Sequence, residues 1–277
     1  MKVRFWGVRG SFATPGASFL RYGGNTTAIE VQSDDGHRVL IDVGTGVTEF
    51  AKELMAAEFG QGKGRLPVLL THTHVDHIQG LPFFTPFFIR GNSFCIMGGE
   101  PTEVPLQQIL QEQLNGHYSP LYGLENLAAG VEVKTLTAGS SWPVEGFEVQ
   151  AAVVPHGGMA VMAYRISADG KSVVIMTDVE HPSTGPSAEA LALVKDCDLL
   201  VHDAMLSDEE YRLRAGWGHS PVSSAIAVAT AAGAKRLALC HHSPDSSDEL
   251  IDSMVVHASS ISPVPLLAAK EGLTIKL

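Results

Sequence analysis

The chain has 277 residues, 45% hydrophobic and 18% charged, with a formal net charge of -11, which suits one large domain or two small ones with an ordinary core. That acidity argues against gripping long nucleic acid by its phosphates, which needs a basic surface, yet it leaves room for a small anion held by metal ions. Three scattered cysteines (Cys95, Cys197, Cys240) form no CxxC pair, and neither a signal-peptide core nor an apolar run of membrane-span length is visible, so a cytoplasmic protein with no membrane partner is expected.

In chain order, residues 1–6 read as a strand, and Gly7 to Ser11 with Thr14-Pro15-Gly16 as a loop. Thr26 to Gln32 and Arg38 to Val43 are strands joined by the hairpin turn Asp34-Asp35-Gly36. The second ends in Asp42-Val43-Gly44-Thr45-Gly46, before a helical pattern over 47–59. That turn lacks the third glycine of a dinucleotide fingerprint. Pro67 to Thr71 is a short apolar strand. Residues 81–130 are the least regular stretch, with a helix expected over 103–114. Strands follow at 131–136, 147–154, 161–167 and 172–176, a helix at 187–195, and a strand at 198–202. An alanine-rich helix at 221–232, a strand from Arg236 to Cys240, a helix at 248–258 and a strand at 272–277 complete the chain. Strands come first, then strands alternating with helices, with no visible repeat or linker. The expected fold is α/β, a four-layer αβ/βα sandwich of two mixed β-sheets flanked by helices, with residues 1–277 forming a single domain.

Twelve histidines are the compositional outlier. Four metal-type donors stand in the run His72-Thr73-His74-Val75-Asp76-His77, directly after a buried strand. Residues i and i+2 of an extended segment project to one side, so His72 and His74 can face one ion together. Asp76 and His77 come later and can serve a second. Imidazole and carboxylate suit zinc, manganese or iron. A solvated polar loop is the bland alternative. His156, Asp178 and the pair His241-His242 also end apolar strands, where each could equally be a polar turn residue. His202-Asp203-Ala204 and Gly218-His219-Ser220 form a further set. A loop histidine beside a carboxylate can act as a general acid, or can simply sit in the capping loop of the helix beginning near Pro221.

With HxHxDH, His156, Asp178 and His241 in that order, the chain resembles the metallo-β-lactamase superfamily over nearly its whole length, and Asp42-x-Gly44-x-Gly46 matches the same pattern. It looks most like the phosphodiesterase branch, which includes ribonuclease Z and small cyclic-phosphate phosphodiesterases. Gly7-x-x-Gly10-Ser11 with Gly24-Asn25-Thr26 resembles the start of those chains. His202-Asp203-Ala204 is similar to their His-Glu-Ala-Thr motif, with Asp for Glu, and Gly218-His219-Ser220 to their His-Ser-Thr motif, with Pro221 for Thr. The resemblance implies two divalent metal ions, zinc first, with manganese or iron as alternatives. It implies His72, His74 and His156 on one ion, Asp76, His77 and His241 on the other, and Asp178 bridging them. His219 would protonate the leaving oxygen, oriented by Asp203, while Asp76 or Asp178 orients the attacking water. His241 and His242 compete for one role, and the resembled pattern, which places the ligand directly after the strand, favours His241.

Ribonuclease Z typically carries a long, basic, glycine-rich arm for tRNA, and no such insertion is found here. The expected partner is therefore a small phosphodiester such as a cyclic nucleotide or cyclic sugar phosphate, with no long nucleic acid. Alternatives are tRNA 3'-end cleavage, lactam or thioester hydrolysis, or a non-catalytic metal-binding module. A homodimer is expected because dimers are common in the resembled branch. Pro82 to Phe88, with His117 and Tyr118, reads as an aromatic lid, as core or as a dimer contact. His181 reads as a neighbour of the metal ligands, and His37 and His257 as surface residues.

Overall fold

The computed structural model describes residues 1–99, 104–119 and 121–277. The chain first runs through β1 (Lys2–Gly7), β2 (Ala28–Gln32), β3 (Arg38–Ile41), β4 (Arg65–Leu70), β5 (Ser93–Gly98) and β6 (Gly130–Thr135). It continues through β7 (Ser141–Val144), β8 (Phe147–His156), β9 (Met159–Ala168), β10 (Lys171–Met176), β11 (Leu199–Asp203), β12 (Leu237–Cys240) and β13 (Leu266–Ala268). β14 (Thr274–Lys276) returns to pair with β1. Two seven-stranded sheets result, ordered β14-β1-β2-β3-β4-β5-β6 and β13-β12-β11-β10-β9-β8-β7. Both are mixed: β3 to β6 are mutually parallel in the first, and β10 to β13 in the second.

Helices α1 (Val47–Met55), α2 (Val75–Ile78) and α3 (Leu106–Gln113) belong to the first half, and α4 (Ala188–Val194), α5 (Asp208–Arg214), α6 (Val222–Ala231) and α7 (Asp248–Ile261) to the second. The parallel strands are apolar on both faces because both are covered. In β10, Val173 and Ile175 join the core between the sheets, while Val174 and Met176 join the core under α4 and α6. Phe50, Leu54, Leu106 and Leu110 likewise cover the outer face of the first sheet. The layers are thus helix, sheet, sheet, helix. The carboxyl ends of β3, β4, β10, β11 and β12 carry Asp42, His72, Asp178, Asp203 and His241. In open parallel sheets that end is where ligand sites form.

Several local expectations change. β3 stops at Ile41, not Val43, because Asp42 takes φ +60° and turns the chain out of the strand. The 47–59 pattern divides into α1 and a 3-10 turn over Glu58–Gln61. The irregular 81–130 stretch holds β5, whose Phe94 and Ile96 are buried beneath the α-helical layer. The helix there spans Leu106–Gln113; residue 103 lies outside the described residues, as do 100–102 and 120. β7, β13 and α5 were not anticipated. The two strands are short sheet edges, and α5 is a seven-residue helix marked by the capping box Ser207/Glu210. Phe84 and Phe87 are core residues, while Phe83 and Phe88 face outward, so the aromatic run is divided between packing and surface.

Candidate metal centre

The centre lies where the two sheets present their strand ends to each other. Three of its residues, Asp42, Asp178 and His241, adopt φ of +60°, +57° and +58°. Asp and His tolerate this left-handed region better than most side chains, but it still carries strain. Each follows a parallel strand closely and swings the chain aside, so its side chain enters the space between the sheets. His74 instead has extended backbone as the N-cap of α2, which places Asp76 and His77 on the first turn of that helix.

Two groups of donors result. One ring nitrogen each from His72, His74 and His156 lie within 4.8 Å of one another. Donor atoms of Asp76, His77, Asp178 and His241 form a second group at the same limit. In the second, His77 Nε2 and His241 Nε2 stand 3.1 and 3.2 Å from Asp178 Oδ2, and each is 3.3 Å from Asp76 Oδ2. Donors at about 2.0–2.2 Å from a tetrahedral ion would be about 3.3–3.6 Å apart, so the spacing nearly matches such an ion. The other oxygen, Asp178 Oδ1, is 4.0 Å from His72 Nε2 and 3.8 Å from His156 Nε2, so this carboxylate faces both groups. His72 Nε2, His77 Nε2 and Asp178 Oδ2 are buried without a hydrogen-bond partner. Such orphans are costly unless a cation takes them, so these residues fit a metal.

The ring nitrogens on the far sides are tied down. His77 Nδ1 donates to Asp42 Oδ2 at 2.7 Å, and Thr71 donates to the same carboxylate through its amide and hydroxyl. His72 Nδ1 lies 3.1 Å from Thr71 Oγ1. His156 Nδ1 donates to the Gly218 carbonyl at 2.6 Å. These bonds fix the tautomers that leave each Nε2 facing inward, the usual support for a histidine ligand. Gly218 must be glycine: at φ +94° its Cβ would stand 2.4 Å from His156 Nδ1.

His219 sits at the rim. Its Nδ1 donates to Asp203 Oδ2 at 2.8 Å, and Asp203 Oδ1 accepts from the Met205 and Ser220 amides. The shorter Asp therefore still reaches the histidine. A ring nitrogen of His219 also lies within 4.8 Å of donors on His156 and Asp178. Burial pulls the His219 imidazolium down, but the Asp203 charge and hydrogen bond outweigh it, with Asp178 and Asp76 adding, and lift it to about 9. Burial together with neighbouring imidazoles pushes His72 and His74 down, into the neutral form a metal requires. Burial alone would raise Asp178, yet His241 and His77 hold it well below the usual carboxylate range.

Every site residue expected from sequence reaches this centre. His242 does not: its Nε2 donates to the Ala269 carbonyl, away from the cluster. His181 packs against His202, with Nε2 atoms 3.1 Å apart, rather than against the donors. His37, His117, Tyr118 and His257 are exposed. Two supporting groups escaped the sequence reading. Asp42 enters the sequence reading through the Asp42-x-Gly44-x-Gly46 turn and its resemblance, with no role of its own, although a carboxylate ending a buried strand is a signal for one. Glu180 accepts from the amides of Gly216 and Gly218, both at 2.7 Å, and nothing local in the sequence links it to that loop. A larger cavity of about 740 Å³ opens elsewhere, between β7, β8 and α4; Glu189 is its one metal-type donor among the described residues.

Two facing mixed sheets with a buried His/Asp cluster at their strand ends define a hydrolase of the metallo-β-lactamase fold, with residues compatible with divalent metal. A sequence model described as the Beta-lactamase superfamily domain matches residues 37–242, and the chain belongs to that superfamily. Ribonuclease BN of Cronobacter sakazakii is 25% identical over an alignment covering 88% of this chain and 92% of the relative. The metallo-beta-lactamase fold protein YhfI of Bacillus subtilis superposes with a TM-score of 0.73 at 20% identity, covering 99% and 98% of the two chains. A diphosphatase from the PhnP family superposes at 0.71 with 21% identity, covering 100% and 97%.

Proposed function

We propose that this chain is a dinuclear-metal phosphodiesterase acting on a small phosphodiester, a cyclic nucleotide or cyclic sugar phosphate. The observation that carries the reading is the His219–Asp203 pair beside the two donor groups. Expulsion of a sugar alkoxide calls for a proton donor of this kind, whereas a thioester hydrolase expels a thiolate that leaves without one.

In this reading His72, His74 and His156 hold one divalent ion, Asp76, His77 and His241 the other, and Asp178 faces both. Zinc, manganese and iron all suit these donors. Bound there, the ions would supply Lewis acidity to the phosphate and lower the pKa of the attacking water. Asp76 and Asp178 offer carboxylate oxygens to orient that water, and the Ser11 amide, donating to Asp76 Oδ2 at 2.8 Å, fixes one of them. His219, with Nδ1 held by Asp203, keeps Nε2 for the proton given to the departing oxygen.

A second reading, cleavage at the tRNA 3' end, draws support from the ribonuclease relative. The net charge of -11 favours the small substrate. The test is a hydrolysis panel with the purified, metal-loaded protein: bis(p-nitrophenyl) phosphate, cyclic nucleotides, precursor tRNA and nitrocefin. Turnover of the first two is expected. Turnover of nitrocefin alone would overturn the phosphodiesterase reading, and strong preference for precursor tRNA would select the second.

A further inference from the structure

A cavity of about 500 Å³ opens directly beside His219, within the roughly 300–1,000 Å³ range of small-molecule sites. His219 lines it together with Phe12, Trp217, Arg214, Pro244 and Asp245. Phe12 is 57% exposed and Trp217 is 67% exposed. Scattered exposed apolar residues need no explanation, but two large aromatic rings on one cavity next to a proposed general acid do.

The Trp217 backbone is pinned. The Glu180 carboxylate accepts from the amides on both sides of it, at Gly216 and Gly218, and His156 holds the Gly218 carbonyl. Tyr211 adds a third bond, donating to Glu180 at 3.0 Å. The opposite wall is equally fixed. Arg9 is fully buried, and its guanidinium donates to the carbonyls of Ser243 and Ser246 and, on the other side, of Gly23. Arg214 spans the two walls, with Cζ 5.7 Å from the Trp217 ring centre and Nη2 3.8 Å from Asp245 Oδ2. The cavity is thus preformed, and an occupant pays little ordering entropy.

We infer that this cavity seats an aromatic nucleobase carried by the leaving group, with Trp217 as its stacking platform. The inference rests on the phosphodiesterase reading and names the substrate class within it. His219 lines the cavity, so the group that receives its proton lies on this side of the phosphorus. The rings offer stacking faces that every base can use. Arg214, paired with Asp245, leaves no net positive charge for a further phosphate and offers a donor and an acceptor to a base edge.

Two measurements test it. With metal-loaded protein, kcat/KM is compared for adenosine 3',5'-cyclic phosphate and for the base-free methyl riboside 3',5'-cyclic phosphate. The wild type should prefer the first by about tenfold or more, the size of one base–aromatic stack. Trp217→Ala should collapse that ratio through KM, and Trp217→Phe should keep most of it. Calorimetric titration with adenosine 5'-monophosphate and ribose 5-phosphate needs no turnover and should show the same Trp217-dependent preference. If both cyclic phosphates are hydrolysed alike and the two monophosphates bind alike, the base site falls and the phosphodiesterase reading stands. If no phosphodiester is hydrolysed but the monophosphate preference appears and vanishes in Trp217→Ala, the base site stands and the enzyme reading falls.

Discussion

The two halves of the molecule supply the centre in opposite ways. The first sheet gives His72, His74, Asp76 and His77 from six consecutive residues, positioned by one strand end and the first turn of α2. The second gives His156, Asp178 and His241 from the ends of β8, β10 and β12, with Asp203 at the end of β11 and His219 from the loop before α6. The contiguous half is placed by local backbone geometry, with Asp42 and the Ser11 amide of the same half orienting His77 and Asp76. The dispersed half needs β8 to β12 aligned and packed. The interface between the sheets does both jobs: Val3, Ile41 and Leu69 on one side and Val173, Ile175 and Val201 on the other belong to one buried cluster. The centre is therefore complete only when the sheets are docked.

The carboxylate facing both groups is where this division breaks most severely. Asp178→Ala leaves His72, His77 and His241 crowded without their shared counter-charge. It should lower metal content and cut turnover by at least the roughly 10²–10³-fold typical of losing one stabilising group. Metal analysis alongside kinetics checks this, and full retention of metal would contradict the facing arrangement. A smaller loss is expected on the contiguous side from Asp42→Asn, which weakens the hold on His77 Nδ1 without touching a donor. Loss of such support typically costs about 10–100-fold in metal affinity or activity, measurable by competition with a chelator.

Asp203→Asn sharpens the dispersed side through pH. The acid must be protonated to act, and Asp203 raises His219 to about 9 by charge and hydrogen bond. Asp178 and Asp76 also contribute, but bound cations would offset them, leaving Asp203 as the main support in the loaded enzyme. The wild-type rate should therefore fall as pH rises through the His219 pKa. Removing the Asp203 charge should move that limb to lower pH, toward the ordinary histidine value of about 6.5. An unmoved limb would show that His219 is not the group that titrates.

The same contrast explains what was legible in the sequence. His72 to His77 stands out because four donors share one short segment. Asp178 and His241 are candidates because each terminates an apolar run, and it is the resemblance, whose pattern places the ligand directly after the strand, that favours His241 over His242. The Glu180 clamp on Gly216 and Gly218 was not readable, since the 36- and 38-residue separations carry no periodic signal. Nor was the buried Arg9, whose partners lie as far as 237 residues away. Among the elements, long apolar strands covered on both faces were found. β7 and β13 escape because short edge strands depend on neighbours for their definition, whereas β5, an interior six-residue strand between β4 and β6, lies within the irregular 81–130 stretch.

The most direct test of the central claim is the leaving-group dependence of His219→Ala, with metal content measured on the same samples. A nucleoside alkoxide needs a proton to depart, whereas p-nitrophenolate leaves without one. The account predicts a loss of about 10²–10⁴-fold on a cyclic nucleotide, the range for general acid catalysis, a much smaller loss on bis(p-nitrophenyl) phosphate, and unchanged metal content. Equal losses on both substrates, or loss of metal in parallel with turnover, would contradict it.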